Sequence, residues 1–289
     1  MPKHVKYATV DEHNMQLLKI LYAPASPWQI TSMKKLKAIT IIQLVVLLLI
    51  PATIFPGDKD DDTAMLEKAI QRYQAIKTID ARISQHIIET GKETALYEGR
   101  YRARGNRMLR VDYDAPEPQV VLVKDGALQW YYPEAGQLYY MDTPGSSGQK
   151  GNVPSVNPLQ ELLNKRADRF TIEYDGIHLY GLFRRARCFI MKDNRQGTTL
   201  EIWLHQDTLV PIRKIVRDRS GRELVRETYE KYEKINGILF PVRVEVVART
   251  RQGVVRNITG YSRVQLNKPL DKGIFTLELP KDVVRKRLY

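Results

Sequence analysis

The stretch "VVLVKDGALQWYYPEAGQLYY", Val120 to Tyr140, decides how the chain folds. Two breaks, Lys124-Asp125-Gly126 and Pro133-Glu134-Ala135-Gly136, divide it into three apolar runs. Asp-Gly and Pro-to-Gly steps between such runs mark hairpins, because glycine takes the positive φ that tight turns need. The runs read as strands. Trp130, Tyr131 and Tyr132 are consecutive, so alternation sends them to opposite faces of the sheet. A sheet with one face in water does not need large apolar side chains on both.

The flanks extend the pattern. "ALYEGRYRARG" places Tyr97, Tyr101 and Ala103 on one face and Glu98, Arg100 and Arg102 on the other. In "RMLRVDYDAP", Leu109, Val111 and Tyr113 oppose Met108, Arg110 and Asp112. Such period-two alternation marks a sheet with one wet face. "DARISQHIIET" precedes them, and further strand-like runs follow from "DRFTIEYDG" to "VVRNITGYSRVQLN". Before the strands, Leu66, Ile70 and Tyr73 recur at helical spacing, which predicts a helix from Thr63 to about Ile76. "NPLQELLNKRA" predicts a second short helix with Leu159, Leu162 and Leu163 on one side, after a loop, Pro144 to Ser155, rich in Gly and Ser. The expected architecture is mainly β, α+β in class: about ten antiparallel strands in meander order with two short helices. A meander of that length curls into a barrel or half-barrel.

The chain has 289 residues with 46 basic and 33 acidic side chains, a formal net charge of +13. That surplus suits an anionic membrane surface, an acidic partner or nucleic acid. Nucleic acid is disfavoured, since a stacking platform needs aromatic and basic side chains on one face and here they alternate. "MKKLKAITIIQLVVLLLIPATIFPG", Met33 to Gly57, has the layout of a secretory signal: three lysines, an apolar core from Ala38 to Ile50, and Pro51. The core is short against the roughly 20 residues of a membrane span. Residues 1–32 then read as a misassigned extension, 33–57 as a signal peptide or an uncleaved anchor, 58–62 as an acidic leader and 63–289 as a single domain. The expected location is the periplasm, with the inner-membrane anchor as the alternative.

No catalytic constellation stands out. His86, His178 and His205 lie in strand-like segments, none in an H-E-x-x-H arrangement, and the single Cys188 makes no thiolate cluster. There is no G-x-S-x-G elbow in a strand-to-helix context. The sequence therefore predicts no catalytic residues, no metal and no cofactor.

The run from Ala75 to Tyr140 resembles the periplasmic outer-membrane lipoprotein carrier family, the LolA-like proteins. The resemblance rests on "YQAIKTIDARISQ", "YEGRYRARG", "RVDYDAP" and the hairpin "VKDGALQWYYP" in that order, and extends to "EIWLHQDTLVPIRKIVRDRSG", "INGILFPVRVEV" and "FTLELPKDVV". It implies an unclosed β-barrel around an apolar cavity, with the helices as a lid. It implies a non-enzymatic carrier, acting as a monomer, that receives lipoprotein acyl chains or other lipid from an inner-membrane release complex and yields them to an outer-membrane acceptor. The cavity is expected to be lined by Ile83, Ile87, Tyr97, Tyr101, Leu109 and Val111, together with Tyr113, Val121, Trp130, Tyr132 and Trp203. An ordinary packed barrel core is the alternative for the same residues. Leu66, Ile70 and Tyr73 would form the lid. Arg104 matches the family's gate arginine, although Gly105 follows it where the family usually has proline. A membrane-anchored lipid-sensing or regulatory module of the same fold is the alternative function.

Overall fold

The computed structural model describes residues 61–90, 92–105, 107–125, 127–141, 159, 170–182, 184–194, 197–250 and 253–288. The segments 1–32 and 33–57, residues 58–60 of the acidic leader, the loop 144–155 and the second helix (apart from Leu159) lie outside these residues.

One helix, α1 (Asp61–Gln74), opens the described chain. Leu66, Ala69 and Tyr73 are buried at spacings of three and four, with Ile70 partly buried, while Glu67, Lys68 and Gln71 face solvent. A first series of strands follows: β1 (Thr78–Glu89), β2 (Lys92–Arg104), β3 (Met108–Ala115), β4 (Gln119–Lys124), β5 (Ala127–Tyr132) and β6 (Gln137–Met141). The second series is β7 (Phe170–Tyr180), β8 (Arg184–Asp193), β9 (Thr199–His205), β10 (Pro211–Arg217), β11 (Glu223–Ile235), β12 (Ile238–Thr250) and β13 (Gly253–Leu266). A 3-10 turn, Lys272–Phe275, and a last strand, β14 (Val284–Arg287), end it.

All fourteen strands among the described residues belong to one unclosed sheet in the order β14-β6-β5-β4-β3-β2-β1-β13-β12-β11-β10-β9-β8-β7. The sheet has fourteen strands where the sequence predicted about ten. It is also two meanders and not one. The chain runs outward from β1 to β6, restarts at the far edge with β7, and returns until β13 pairs with β1 along a register that includes Ile83 opposite Tyr261. This long antiparallel seam joins the two wings. Every neighbouring pair is antiparallel except β14 and β6, where Val284–Arg287 lies parallel to Gln137–Tyr140.

Alternation is as expected in the first wing. Tyr97, Tyr101 and Ala103 of β2 and Leu109, Val111 and Tyr113 of β3 are buried on the concave face. The convex face of β1–β3 carries an ion-pair ladder: Arg100 grips Asp80 through two hydrogen bonds of 2.8 and 2.7 Å, Arg82 meets Asp114 at 2.6 Å, and Arg102 and Arg110 share Asp112. The Arg100 guanidinium holds the Asp80 carboxyl below the usual carboxylate range. Further along that face, Leu122, Tyr131 and Leu138 are buried too. The C-terminal segment crosses this side, held where Arg110 donates to the carbonyls of Ile274 (2.8 Å) and Thr276 (3.2 Å), with Phe275 fully buried. Both faces of the wing are thus covered. That is why Trp130, Tyr131 and Tyr132 can all be large.

Candidate functional site

The concave face is the candidate site, and it divides into two apolar clusters. The first belongs to β1–β6, with Ile238, Phe240, Val242 and Leu266 from across the seam. Of the residues expected to line a cavity, it brings together Ile83, Ile87, Tyr97, Tyr101, Leu109, Val111, Tyr113, Val121, Trp130 and Tyr132. Their register explains the meeting, because Tyr101, Val111, Val121, Trp130 and Tyr139 form one row across five strands. The rings engage one another. Trp130 and Tyr132 centroids are 5.0 Å apart, Tyr97 meets Tyr113 edge-on at 5.6 Å, and Tyr101 and Phe240 both meet Tyr261 edge-on at 5.9 and 5.8 Å. Edge-to-face and offset pairs of this kind add about 0.5–1.5 kcal/mol each beyond area burial.

The second cluster lies on β8–β12 and holds Phe189, Met191, Leu200, Ile202, Leu204 and Val216 with Leu66, Ala69 and Tyr73 of α1 and Leu159. The helix that carries Leu66, Ile70 and Tyr73 therefore sits on the second wing and contributes none of its residues to the first cluster; only Ile76, just past its end, packs against both. Two long-range hydrogen bonds pin it. Arg72 donates to the carbonyl of Thr208 at 2.5 Å, and the Tyr73 hydroxyl donates to the carbonyl of Leu239 at 2.9 Å. Burial raises the Tyr73 hydroxyl pKa well above its ordinary value, so it stays a donor.

Polar side chains that the sequence did not single out cross the concave face around the seam. The Tyr113 hydroxyl donates to Gln85 (2.6 Å), the Gln85 amide to Thr259 (3.2 Å), and Thr259 to Asn257 (3.2 Å), all buried. The same row continues from Asn257 through Val246 to Glu227 and Lys214. Lys214 and Glu227 form an ion pair at 3.0 Å with side chains only 5% and 11% exposed, and the Tyr229 hydroxyl donates to the same carboxylate. Trp130 completes its own polar need by donating to Gln119 at 3.0 Å. Polar residues inside a sheet are legible only once the register is known, since alternation alone marks them as interruptions.

Two expected site residues stand elsewhere. Trp203 lies on the convex face of β9, its ring 5.3 Å from that of His178 and 5.3 Å from the Arg213 guanidinium. Its neighbours Ile202 and Leu204 are the concave ones. Arg104 ends β2 opposite Thr78 and Met108, in register with Arg100 and Arg102 on the convex side, whereas α1 packs on the concave side of the other wing. No helix among the described residues is long and apolar enough to cross a membrane.

An open sheet curved over an apolar floor, with a helix laid into one half, defines a fold class also seen in solved structures. A protein of the DUF1329 family from Desulfovibrio piger matches with a TM-score of 0.56 and 16% identity, covering 75% of this chain and 98% of its own. A LolA superfamily protein from Nitrosomonas europaea matches at 0.52 and 17%, covering 76% and 99%. An outer membrane lipoprotein-sorting protein domain from Vibrio parahaemolyticus matches at 0.53 and 12%, covering 73% and 94%. The fold is LolA-like. A family model described as "Uncharacterized protein" matches residues 190–279, from within β8 to just past the 3-10 turn. No curated protein sequence matches the chain.

Proposed function

We infer that this chain is a carrier that shelters lipid, in the first instance lipoprotein acyl chains, on the concave face of its sheet. The observation that carries the reading is the first cluster: an aromatic-rich apolar floor on an unclosed sheet, to which the described helix contributes nothing. Its rings meet edge to face, and an acyl chain laid among them would keep their apolar area out of water while burying its own. An acyl chain entering there gains about 0.8 kcal/mol per methylene, so a chain of about 15 methylenes would gain roughly 12 kcal/mol over exposure to water. Transport across an aqueous compartment needs such an interior.

In this reading, segment 33–57 directs export and the domain 63–289 works in the periplasm as a monomer, with α1 held to the second wing through Arg72 and Tyr73. An inner-membrane release complex supplies the lipid and an outer-membrane acceptor removes it. The reading assigns no covalent chemistry to the chain.

Native mass spectrometry of the isolated protein, followed by titration of the delipidated protein with a fluorescent fatty acid, tests it. The expected result is co-purifying lipid and saturable uptake that survives high salt, reported by Trp130 on the concave face. A Trp203→Phe variant keeps the response, because that ring is on the other side. Protein that carries no lipid and takes up no probe overturns the reading.

A further inference from the structure

On the convex face of the second wing, strand β7 contains a bulge, and the residues around it are the ones to which the carrier reading gives no role. The register with β8 shifts between Tyr174 and Gly176, leaving Asp175 as the extra residue, and Gly176 sits at φ 92. Before the bulge, Tyr174 faces Phe189 on the concave side; after it, Gly176 faces Cys188 and His178 faces Ala186 on the convex side. An unbroken strand would send residues 175 and 178 to opposite faces. The bulge brings them together, with Asp175 Oδ2 3.0 Å from His178 Nε2 and the Asp175 carbonyl oxygen 2.9 Å from the same nitrogen. Bulges are enriched where a strand must re-aim a side chain.

We propose that Asp175, His178 and Cys188 form a binding site for a divalent transition-metal ion with affinity for nitrogen and sulfur, zinc foremost. The carboxylate oxygen, the imidazole nitrogen and the thiol sulfur all lie within 4.8 Å of one another. Around a tetrahedral zinc ion, ligand atoms at about 2.0–2.3 Å from the metal stand roughly 3–4 Å apart, so small side-chain rotations close the site. The cluster is shaped as a cup. Cys188 forms its base at 1% exposure, while the side chains of His178 and Asp175 form a rim 38% and 47% exposed. Gly176, the strand partner of Cys188, puts no side chain beside it, and an added Cβ there would meet nothing within 4 Å. Trp203 forms one wall, 5.3 Å from the imidazole. Three protein ligands of types N, S and O with a solvent-facing fourth position are the donor set of an open zinc site. The site is separate from the concave face and does not depend on the lipid reading.

The test is titration of the metal-stripped full-length protein with Co²⁺, then Zn²⁺. The expected result is one ion per chain, a thiolate-to-cobalt charge-transfer band, quenching of Trp203 fluorescence by Co²⁺, and displacement of both signals by Zn²⁺. Cys188→Ser should abolish the band. Because that sulfur is buried, Asp175→Asn and His178→Gln at the solvent rim provide the second arm, each weakening binding at least tenfold while thermal unfolding of the metal-free protein stays within a few degrees of wild type. Binding without the band, or binding indifferent to the rim variants, would assign the ion to another part of the chain and overturn the proposal, as would no binding at all.

Discussion

At Gly99 the sheet depends on the absence of a side chain. A Cβ there would stand 2.2 Å from the backbone oxygen of Asp112 and 2.9 Å from the Cα of Tyr113. Both are main-chain atoms of the paired strand, so neither can swing aside, and the clash is relieved only by moving β2 off β3. Gly99→Ala should therefore destabilise the protein by about 2–3 kcal/mol, within the range for overpacked sites. Urea unfolding should show a lower midpoint at unchanged slope. A midpoint equal to wild type would mean that the strands are not held this closely. The same close approach lets Tyr113 reach Gln85 across β2, which joins the aromatic floor to the polar line at the seam.

At the scale of elements, α1 is held by packing along its length and fixed in position at its end. Its apolar face packs on the second wing, but the hydrogen bonds that fix its position come from Arg72 and Tyr73 in its last turn. Tyr73→Phe keeps the ring and removes the donor to the Leu239 carbonyl. It should cost about 1 kcal/mol and speed amide exchange along α1, leaving the β1–β6 amides unchanged. Equal protection of α1 in both proteins would refute this pinning. The helix itself was legible, because Leu66, Ile70 and Tyr73 state its face directly. The strands β2 and β3 were legible for the same reason, one residue in two being apolar. Four features were not. The strand β14 is four exposed residues, Val284–Arg287, whose pairing with β6 is set by tertiary contact and leaves no pattern. The seam between β1 and β13 joins distant parts of the sequence, and local alternation is silent about partners. Trp203 and Trp130 look alike in sequence, since each sits among alternating apolar residues, and only the register shows that they lie on opposite sides of the sheet. The Asp175–His178–Cys188 group was hidden in the same way, because a bulge changes the face of every residue beyond it.

At the scale of the molecule, the first wing is a sandwich filling between the concave cluster and the returning C-terminal segment. Phe275 is the buried anchor of that return, at 0% exposure, beside the Arg110 bonds to Ile274 and Thr276. Phe275→Ala should cost about 3–5 kcal/mol, as for other fully buried aromatic truncations. The loss should also appear as increased binding of an apolar dye to the native protein, since Leu122, Tyr131 and Leu138 share that face. Lost stability without added dye binding would confine the effect to a local cavity.

The order in which the seam is completed also governs how the protein comes into being. Strand β1 emerges early and its outer neighbour β13 nearly last, so the central pairing is among the slowest contacts to form. Until residues 253–266 and 284–287 are available, the first meander has two raw borders, β1 on one side and β6 on the other, each able to pair with a stranger. A chain that stalls short of that point is the species most in need of a chaperone.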